Sequence, residues 1–348
     1  MSDFARRLVR WQARHGRHDL PWQRTRDPYR VWLSEVMLQQ TQVATVIPYY
    51  RRFLARFPNL KALARSTLDE VLTLWSGLGY YSRARNLHAA ARAIVASHRG
   101  RFPRSRKALE ALPGLGRSTA AAVAVFAFGE REAILDGNVK RVLARHFAVA
   151  GYPGEPRVEK RLWALAEAQL PAKNIEAYTQ GLMDLGARVC TRKRPACAEC
   201  PLRGTCKACA RGNPEAFPQP RPRKPKPMRR TSMLLLLSNG EVLLEKRPPT
   251  GVWGGLWCLP EVEPGSMKSG KALPALRHEF THFTLDITPV ACVVESSTQR
   301  ATEPGQLWLS FEEAVGAAVP APVRKLLAGL ASGRLLGQAA ALEKALQD

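Results

Sequence analysis

The chain has 348 residues, enough for two or three domains that each bury a hydrophobic core. It carries 53 Lys and Arg against 29 Asp and Glu, and the formal net charge of +24 favours a polyanionic partner, either nucleic acid or an anionic membrane surface. Membrane insertion is excluded, because the longest apolar runs, Ala120–Phe128 and Met233–Leu237, are far shorter than the roughly 20 residues that span a bilayer. Met1–Arg10 is charged and lacks an apolar signal core, so we expect a cytoplasmic protein.

The residues between Asp27 and Gly186 predict a compact helical module, since apolar residues recur there every three to four positions. One helix is predicted over Asp27–Ile47, because an aspartate cap followed by proline is typical of a helix start. Ser105–Leu112 and Arg117–Phe128 are predicted as two further helices, joined by Pro113–Gly116. The sequence therefore predicts a helix, a tight glycine hairpin and a second helix.

The composition changes abruptly over Arg211–Arg230, where six prolines and seven basic residues accompany a single acid, Glu215. Such a segment buries no core and is typical of an extended linker. Beyond it, alternating apolar residues predict a hairpin of strands Ser232–Leu237 and Glu241–Glu245 around the turn Ser238–Gly240. Further predicted elements are strands at Phe283–Thr288 and Val290–Glu295 and helices at Phe311–Ala317, Ala321–Leu330 and Gly337–Asp348.

The glycine hairpin is the first candidate site. Gly114 and Gly116 let backbone N–H groups approach a phosphate closely at the start of the following helix, where the helix dipole also attracts an anion. Arg117 and Ser118 come directly after it. An ordinary helix connection with a glycine cap is the plain alternative. Beside a net charge of +24 we favour contact with the DNA backbone, which carries no sequence information.

The cysteines form the second candidate site. The chain has seven, an odd number, and four of them follow the spacing Cys190-x6-Cys197-x2-Cys200-x5-Cys206. This spacing indicates a metal centre in a reducing compartment rather than a disulfide framework, and zinc and an iron–sulfur cluster both accept four cysteines. Basic residues lie among these cysteines and predict a positively charged loop: Arg192, Lys193, Arg194 and Arg203.

Several long motifs carry a resemblance to a known family. They are Pro28–Gln42, Gly77–Tyr81, Leu112–Thr119, Ile134–Arg141 and the cysteine spacing. Together they resemble the MutY adenine DNA glycosylases of the helix-hairpin-helix DNA glycosylase superfamily. The match covers almost all of Asp19–Cys206 and resumes in Arg247–Pro260.

The resemblance implies a fold and a cofactor. We expect a mainly α helix-hairpin-helix glycosylase domain at residues 1–209, with the hairpin at about 105–128 and an iron–sulfur cluster loop at 190–206. A basic linker at 210–230 would lead to an α+β Nudix-like domain at 231–348 that recognises 8-oxoguanine. The expected cofactor is one [4Fe-4S] cluster on the four spaced cysteines. The Nudix-like domain should not hydrolyse nucleotides, because only Glu261 and Glu263 precede Gly265 where a magnesium-binding glutamate helix would be needed.

The resemblance also implies an activity, the removal of adenine mispaired with 8-oxoguanine or guanine in double-stranded DNA. Such a reaction needs an acid at the base and a negative charge near the sugar, as in glycoside hydrolysis. Glu35 would protonate adenine, Asp136 would stabilise the sugar cation, and Asn138 would orient water or Asp136. Glu35 could instead be a solvated helix residue, although its neighbours are mostly apolar, and Asp136 could simply cap the helix that starts at Gly137.

One departure from related enzymes concerns strand cleavage. Ser118 occupies the position at which the endonuclease III group carries a lysine that forms a Schiff base, and a hydroxyl cannot do so. We therefore expect a monofunctional glycosylase that leaves an abasic site. The role of Ser118 itself stays open.

Other residues match family positions that contact DNA around the lesion. Gln40 and Tyr80 match residues that intercalate on the 8-oxoguanine side, and surface glutamines and core aromatics are the plain alternative. Phe280, Thr281 and His282 match the loop that recognises 8-oxoguanine, with threonine where serine is usual. We expect a monomer, associated with the nucleoid through DNA. A glycosylase for thymine or oxidised pyrimidines and a DNA-binding protein without activity are the competing hypotheses.

Overall fold

The structure is a computed structural model that describes residues 1–222, 225–263, 270–294 and 304–332. The predicted helix Gly337–Asp348 and the end of the predicted strand Val290–Glu295 lie outside these residues. The chain divides into two compact units. Unit 1 comprises Met1–Arg65 and Asn86–Arg223, and unit 2 comprises Ser66–Arg85 and Lys224–Asp348.

The α-helices of the described residues are numbered in chain order. They are α1 Asp3–His15, α2 Pro28–Leu38, α3 Val43–Arg56, α4 Leu60–Arg65, α5 Leu68–Trp75, α6 Ser82–Ser97, α7 Arg106–Glu110, α8 Arg117–Phe128, α9 Gly137–Phe147, α10 Pro156–Ala168, α11 Ile175–Asp184, α12 Lys207–Ala210, α13 Phe311–Gly316 and α14 Ala321–Ala331. In these residues no helix is long and apolar enough to cross a bilayer.

Helix α8 is the central helix of unit 1. Its N-cap is the exposed Gly116, and the six consecutive residues Ala120–Val125 are all buried. Its alanines let α2 and α7 pack closely against it, because small side chains shorten the distance between helix axes. The helix predicted over Arg117–Phe128 is thus confirmed, and α7 lies inside its predicted range.

The single helix predicted over Asp27–Ile47 is wrong, because the chain forms α2 and α3 with a break between them. Gln40 lies in the break with a φ of 56°, a left-handed conformation that ends a right-handed helix. The side-chain amide of Gln39 donates a hydrogen bond to the Thr119 hydroxyl at 3.1 Å, which fixes the break to α8. Because the apolar residues keep helical spacing on both sides of Gln40, the break could not be recognised from the sequence.

The described residues of unit 2 form an eight-stranded sheet with helices. Its strands are β1 Met228–Ser238, β2 Glu241–Lys246, β3 Trp257–Cys258, β4 Glu261–Val262, β5 Lys271–Ala272, β6 Leu276–Glu279, β7 Thr284–Val293 and β8 Gln306–Ser310. The central order is β3-β2-β1-β7-β5, with β1 and β7 parallel, β4 on β1, β6 on β7 and β8 on β2. The predicted hairpin is confirmed as β1 and β2, and its turn residues Asn239 and Gly240 have φ of 50° and 77°.

Two sequence boundaries are corrected in unit 2. Strand β1 begins at Met228, so the last three residues of the predicted linker belong to the sheet. The two strands predicted on either side of Pro289 are one strand, β7. On this edge of β7, β6 pairs only as far as Ile287, and the pairing with β5 involves Val290 and Ala291. Among the described residues, neither of these antiparallel strands is therefore in register with Pro289, and the missing N–H is tolerated.

Candidate active site

The carboxyl group of Glu35 lies in the middle of α2, on unit 1. The helix starts where the Asp27 carboxylate accepts a hydrogen bond from the Tyr29 N–H at 2.9 Å, and most of its side chains are buried. Glu35 is half-buried because it lines a cavity. Burial, with a smaller contribution from the negative charge of Asp136, raises the pKa of Glu35 to about 8. At neutral pH this carboxyl keeps its proton, as a general acid requires.

The cavity beside Glu35 has a volume of about 530 Å³. Aromatic rings from Trp22 and Phe126 form part of its wall, together with the amides of Gln23 and Gln180. The remaining lining residues are Gln12, Arg17, His18, Arg24, Thr25, Arg26, Val31, Ser34, Glu176 and Ala177. Flat apolar walls with a few polar groups suit a heterocycle that has hydrogen-bonding edges.

Asp136 is the second carboxyl of the site and lies at the N-terminus of α9. Its carboxylate accepts hydrogen bonds from the Val139 N–H at 2.8 Å and from the Asn138 side-chain amide at 3.4 Å. Burial raises the pKa of Asp136, while these bonds and the charge of Arg141 oppose the rise. Since they favour the ionised form of Asp136, the proton of the pair stays on Glu35. Asp136 therefore both caps the helix and shares one electrostatic site with Glu35.

Arg141 connects Asp136 to the cysteine loop and was missed by sequence reasoning. Its guanidinium donates to the Asn138 side-chain oxygen at 2.8 Å, to the Gly186 carbonyl at 2.6 Å and to the Cys190 carbonyl at 2.7 Å. A Cβ at Gly186 would lie 2.5 Å from the Asn138 Cβ, so this approach needs a glycine. The sequence contained a signal for the contact between Arg141 and Asn138, because residues three positions apart lie on the same face of a helix.

Ser118 has a structural contact next to the site. Its hydroxyl accepts a hydrogen bond from the Leu135 N–H at 2.9 Å, which ties the first turn of α8 to the residue that precedes Asp136. Arg117, which the sequence places at the hairpin, forms an ion pair with Glu167, and its guanidinium lies 3.9 Å from the centre of the Trp163 ring. The structure therefore directs Arg117 toward α10.

The hairpin itself has the geometry that the sequence predicts. Gly114 has a φ of 78°, and a Cβ there would lie 2.6 Å from the Asn86 Cβ, so the turn requires glycine. Gly116 is exposed and caps α8 without a side-chain hydrogen bond. Gly116 has no side chain to cover the start of α8, so a phosphate can approach the first backbone N–H groups of this helix.

The four spaced cysteines line one cavity of unit 1. Burial raises the pKa of Cys200 to about 12, and the charges of Cys190, Cys206 and Cys197 add to the rise. The lining contains no carboxylate, and cysteine sulfur atoms that interact electrostatically are the donors that a four-iron cluster or zinc uses. The donor chemistry thus fits a metal centre. Among the described residues, however, no three His, Cys, Asp or Glu side chains are already arranged so that they could hold a metal ion.

The buried guanidinium of Arg145 organises the loop around these cysteines. It donates to the Cys190 sulfur at 3.3 Å, to the Thr191 carbonyl at 2.7 Å and to the Arg192 carbonyl at 3.0 Å. The side chains of Arg192, Lys193 and Arg194 are exposed. The loop therefore presents a basic surface, as its sequence predicts. The contacts of Arg145 that hold the loop were not predicted from the sequence.

The predicted 8-oxoguanine loop is a turn of unit 2 between β6 and β7. The Phe280 N–H donates to the Phe283 carbonyl at 2.9 Å, and the two rings stack with centroids 4.5 Å apart. Thr281 and His282 are exposed at the tip. The hydroxyls of Thr281 and Tyr80, both in unit 2, lie 3.4 Å apart. Tyr80 is 47% exposed with a φ of 48°, so it is not a core aromatic.

Gln40 also projects from the surface, because it is exposed in the break between α2 and α3. Gln39, by contrast, is half-buried and bonded to Thr119. Of this pair, Gln40 is therefore the glutamine available to a partner.

Comparison with known proteins decides the family. Residues 33–168 match the HhH-GPD superfamily of base excision DNA repair proteins, and residues 232–329 match the NUDIX domain. The chain is 35% identical to the adenine DNA glycosylase of Buchnera aphidicola subsp. Schizaphis graminum, over 93% of this chain and 97% of the relative. The human adenine DNA glycosylase is also 35% identical, over 94% of this chain and 73% of the relative. The chain belongs to the adenine DNA glycosylase family.

A solved structure supports the fold of unit 1. A thermostable thymine-DNA glycosylase has a TM-score of 0.55 and 32% identity, and the match covers 60% of this chain and 95% of that chain. The predicted fold class and family are confirmed, and membership of the adenine DNA glycosylase family makes the chain an enzyme of DNA base excision repair.

The cavity beside Glu35 also contains two residues that the sequence did not predict, Gln23 and Gln180. These glutamines are 157 positions apart, so no periodicity or motif spacing in the sequence relates them. Only the tertiary packing brings Gln23 and Gln180 to one cavity.

Proposed function

We propose that the chain hydrolyses the N-glycosidic bond of adenine mispaired with 8-oxoguanine or guanine in double-stranded DNA, acting as a monomer and leaving an abasic site. The observation that carries the proposal is the placement of Glu35, whose pKa burial raises to about 8, on a cavity suited to a flat base and in electrostatic contact with Asp136, whose hydrogen bonds favour its charge. Because the cavity cannot reach a base inside the duplex, adenine must be flipped out of the stack.

The amides of the cavity can recognise the edge of adenine. The NH₂ group of Gln180 donates to Asp184 at 2.8 Å, which leaves its carbonyl oxygen as an acceptor for the exocyclic amine of adenine. The carbonyl oxygen of Gln23 accepts from the Leu20 N–H at 3.2 Å, which leaves its NH₂ group as a donor for a ring nitrogen. One acceptor and one donor match the exocyclic amine and a ring nitrogen of adenine.

The two carboxyl groups then divide the reaction between base and sugar. Glu35 donates its proton to a ring nitrogen of adenine, so the bond between C1′ and the base breaks with its electron pair on a neutral leaving group. The positive charge that develops at C1′ is stabilised by the Asp136 carboxylate. Water then adds to C1′ and gives its proton to the Glu35 carboxylate, which restores the starting state.

Asn138 positions Asp136 in this scheme. Its amide nitrogen bonds to Asp136, and its amide oxygen is bonded by Arg141, so both ends of the side chain are fixed. Strand cleavage is not expected, because the Ser118 hydroxyl forms no Schiff base and is already bonded to Leu135. The enzyme is therefore monofunctional in this proposal.

DNA would be held through groups spread over both units. The exposed start of α8 at Gly114 and Gly116, with Ser118 beside it, and the basic residues Arg192, Lys193 and Arg194 would contact backbone phosphates. The flipped-out adenine leaves a gap in the duplex, and Gln40 and Tyr80 are exposed side chains that can fill it. Phe280, Thr281 and His282 would recognise the 8-oxoguanine that remains. Arg117 would have to leave Glu167 to take part.

The cofactor of the proposal is one [4Fe-4S] cluster on Cys190, Cys197, Cys200 and Cys206. When bound, the cluster cross-links the loop and supplies no redox step to a hydrolysis. The Arg145 guanidinium, which touches the Cys190 sulfur and two loop carbonyls, would balance part of the negative charge of the thiolates.

A single-turnover assay of base release tests the proposal. The substrates are duplexes with adenine opposite 8-oxoguanine, adenine opposite guanine and thymine opposite guanine. We expect release from the two adenine duplexes, and the strand should break only after alkaline treatment. Glu35→Gln should abolish release, whereas Glu130→Gln, which changes an exposed carboxyl, should leave it unchanged. Release from the thymine duplex alone would contradict the proposed substrate.

A further inference from the structure

A cavity of about 230 Å³ lies wholly within unit 2. Three of its lining residues are arginines and one is a carboxylate, so the lining has an excess of positive charge, which attracts anions. We call this cavity the arginine pocket. It is lined by Arg229, Arg230, Thr231, Arg247, Val252, Trp253, Glu261, Phe283 and Leu285.

The register of the sheet explains why these side chains share one face. Arg229 and Thr231 are two residues apart on β1, and Leu285 of β7 lies directly opposite Arg229. Phe283 comes two residues before Leu285 and therefore lies on the same side. Strand β4 pairs with β1 and brings Glu261 to the edge of this face. The pocket is thus a product of strand pairing that no local motif encodes.

The carboxylate of the pocket is already occupied. Glu261 accepts one hydrogen bond from the Arg247 guanidinium and another from the Thr231 hydroxyl, the latter at 2.6 Å, so both of its oxygens are bonded. It is the only carboxylate among the described lining residues, whereas a magnesium ion bound by protein needs several oxygen ligands. The pocket therefore offers cations to a phosphate without a magnesium site that would activate it.

Two of the arginines keep donors free for a ligand. The Arg247 Nε–H is buried and has no hydrogen-bond partner among the described residues, a costly state that an accepting ligand would relieve. Arg229 is exposed and forms no ion pair with the described residues, and its guanidinium lies 4.5 Å from the centre of the Phe283 ring. Stacking on a ring leaves the N–H groups at the rim of a guanidinium available to an anion.

The rest of the lining is mainly apolar. Val252 and Trp253 form part of the wall, and the Trp253 ring is held by Phe280 and His278, with ring centroids 5.5 and 5.6 Å away. Arginines beside an apolar wall suit a phosphate joined to an uncharged group. The volume of about 230 Å³ is below the roughly 300–1,000 Å³ of pockets that enclose a whole drug-sized ligand. It therefore suits the phosphate and sugar of a nucleotide, with the base outside.

We propose that the arginine pocket binds the sugar and phosphate of a nucleotide. The inference goes beyond the proposed function, because the pocket contains neither Glu35 nor Asp136. A DNA strand and a free mononucleotide present the same chemistry to it. The strand is the favoured source, since Phe283 of the pocket stacks on Phe280 of the predicted 8-oxoguanine turn.

The salt dependence of DNA binding tests the strand as the source. Full-length protein is titrated with a fluorescent duplex that carries 8-oxoguanine opposite cytosine, so no mispaired adenine is present for release. We expect Arg229→Gln to reduce the slope of log affinity against log salt concentration by about 1, the effect of losing one phosphate contact. Lys325→Gln removes an exposed charge from α14 of the same unit and should leave the slope unchanged.

Equilibrium dialysis with radiolabelled dGMP tests the free mononucleotide. A loss of about 10-fold in dGMP affinity in Arg229→Gln, with an unchanged salt slope for DNA, would support the free mononucleotide as the source. Wild-type protein should bind dGMP more tightly than inorganic phosphate, because the apolar wall contacts the sugar. Equal affinity for the two would overturn the assignment to a nucleotide. If Arg229→Gln changed neither assay, or changed them no more than Lys325→Gln, the arginine pocket would not be a binding site.

Discussion

The Glu35 and Asp136 pair of unit 1 and the turn Phe280–His282 of unit 2 are built in opposite ways. Both carboxyl groups are half-buried, Asp136 accepts two hydrogen bonds, and burial shifts the pKa values of both groups upward. Thr281 and His282 are exposed, and only Phe280 is anchored by stacking. Proton transfer needs an altered pKa and therefore burial, whereas recognition of a partner needs groups that the partner can reach. Changes at the pair should therefore slow chemistry, and changes at the turn should alter substrate preference.

Among the variants of Asp136, Thr281 and Ser118, the largest effect is expected for Asp136→Asn. Asparagine also caps helices well, so the start of α9 should stay intact while the negative charge near C1′ is lost. We expect base release to slow by about 10²–10³-fold, the usual cost of removing one stabilising group from a transition state. Single-turnover rates and urea unfolding measure the two properties separately.

Asp136→Ala is the matched variant, because it removes both the charge and the cap. It should be as slow as Asp136→Asn and also less stable by about 1 kcal/mol. If Asp136→Asn released adenine at the wild-type rate, Asp136 would be a cap alone, and the contrast between the two sites would disappear.

The pH dependence of the rate is the second prediction. Glu35 acts as an acid in its protonated form, so single-turnover base release should fall about tenfold per pH unit above a pH near its pKa of about 8. Glu35→Asp should keep a falling limb at a lower rate. A rate that stayed constant from pH 7 to about pH 10 would show that Glu35 is not the acid.

The same pKa has a consequence for stability. Between the usual carboxyl pKa of 4.5 and the folded value of about 8, the folded chain keeps the Glu35 proton while the unfolded chain releases it. The free energy of unfolding contributed by Glu35 therefore decreases as the pH rises through this window. Glu35→Gln should remove that decrease, so the inactive variant should be the more stable protein near pH 8.

The two regions also differ in what the sequence could predict. Glu35, Asp136 and Asn138 stand in short motifs, where local chemistry and position on a helix reveal the site. The arrangement of Arg145, Gln23 and Gln180 could not be predicted, because tertiary packing alone brings these distant residues to the cysteines and the cavity. Helices α2 and α3 were merged for a related reason, since the left-handed Gln40 leaves the apolar spacing unchanged.

The third prediction concerns the exposed turn. Thr281→Val keeps the shape of the side chain and removes its hydroxyl, which lies 3.4 Å from that of Tyr80. We expect the preference for adenine opposite 8-oxoguanine over adenine opposite guanine to fall by about 5- to 10-fold, the worth of one hydrogen bond. The rate opposite guanine should change little. Competition assays with both duplexes measure this preference.

The exposed residue Thr73 on α5 provides the matched control, since Thr73→Val makes the same chemical change elsewhere in unit 2. It should leave the preference unchanged. An equal loss of rate on both duplexes in Thr281→Val would mean that the turn supports binding in general and does not discriminate between the opposing bases.

The fourth prediction concerns Ser118, which lies next to the carboxyl pair without belonging to it. Of the predicted changes, Ser118→Ala should have the smallest effect. The substitution leaves the Leu135 N–H without the acceptor that now lies at 2.9 Å, so we expect a loss of about 1 kcal/mol in the free energy of unfolding. Because Leu135 directly precedes Asp136, base release should slow only a few-fold, in proportion to that loss. Ser118→Thr, which keeps the hydroxyl, should restore stability and rate together. A large loss of rate in Ser118→Ala with unchanged stability would instead place the hydroxyl among the reacting groups, and the carboxyl pair would no longer account for the chemistry by itself.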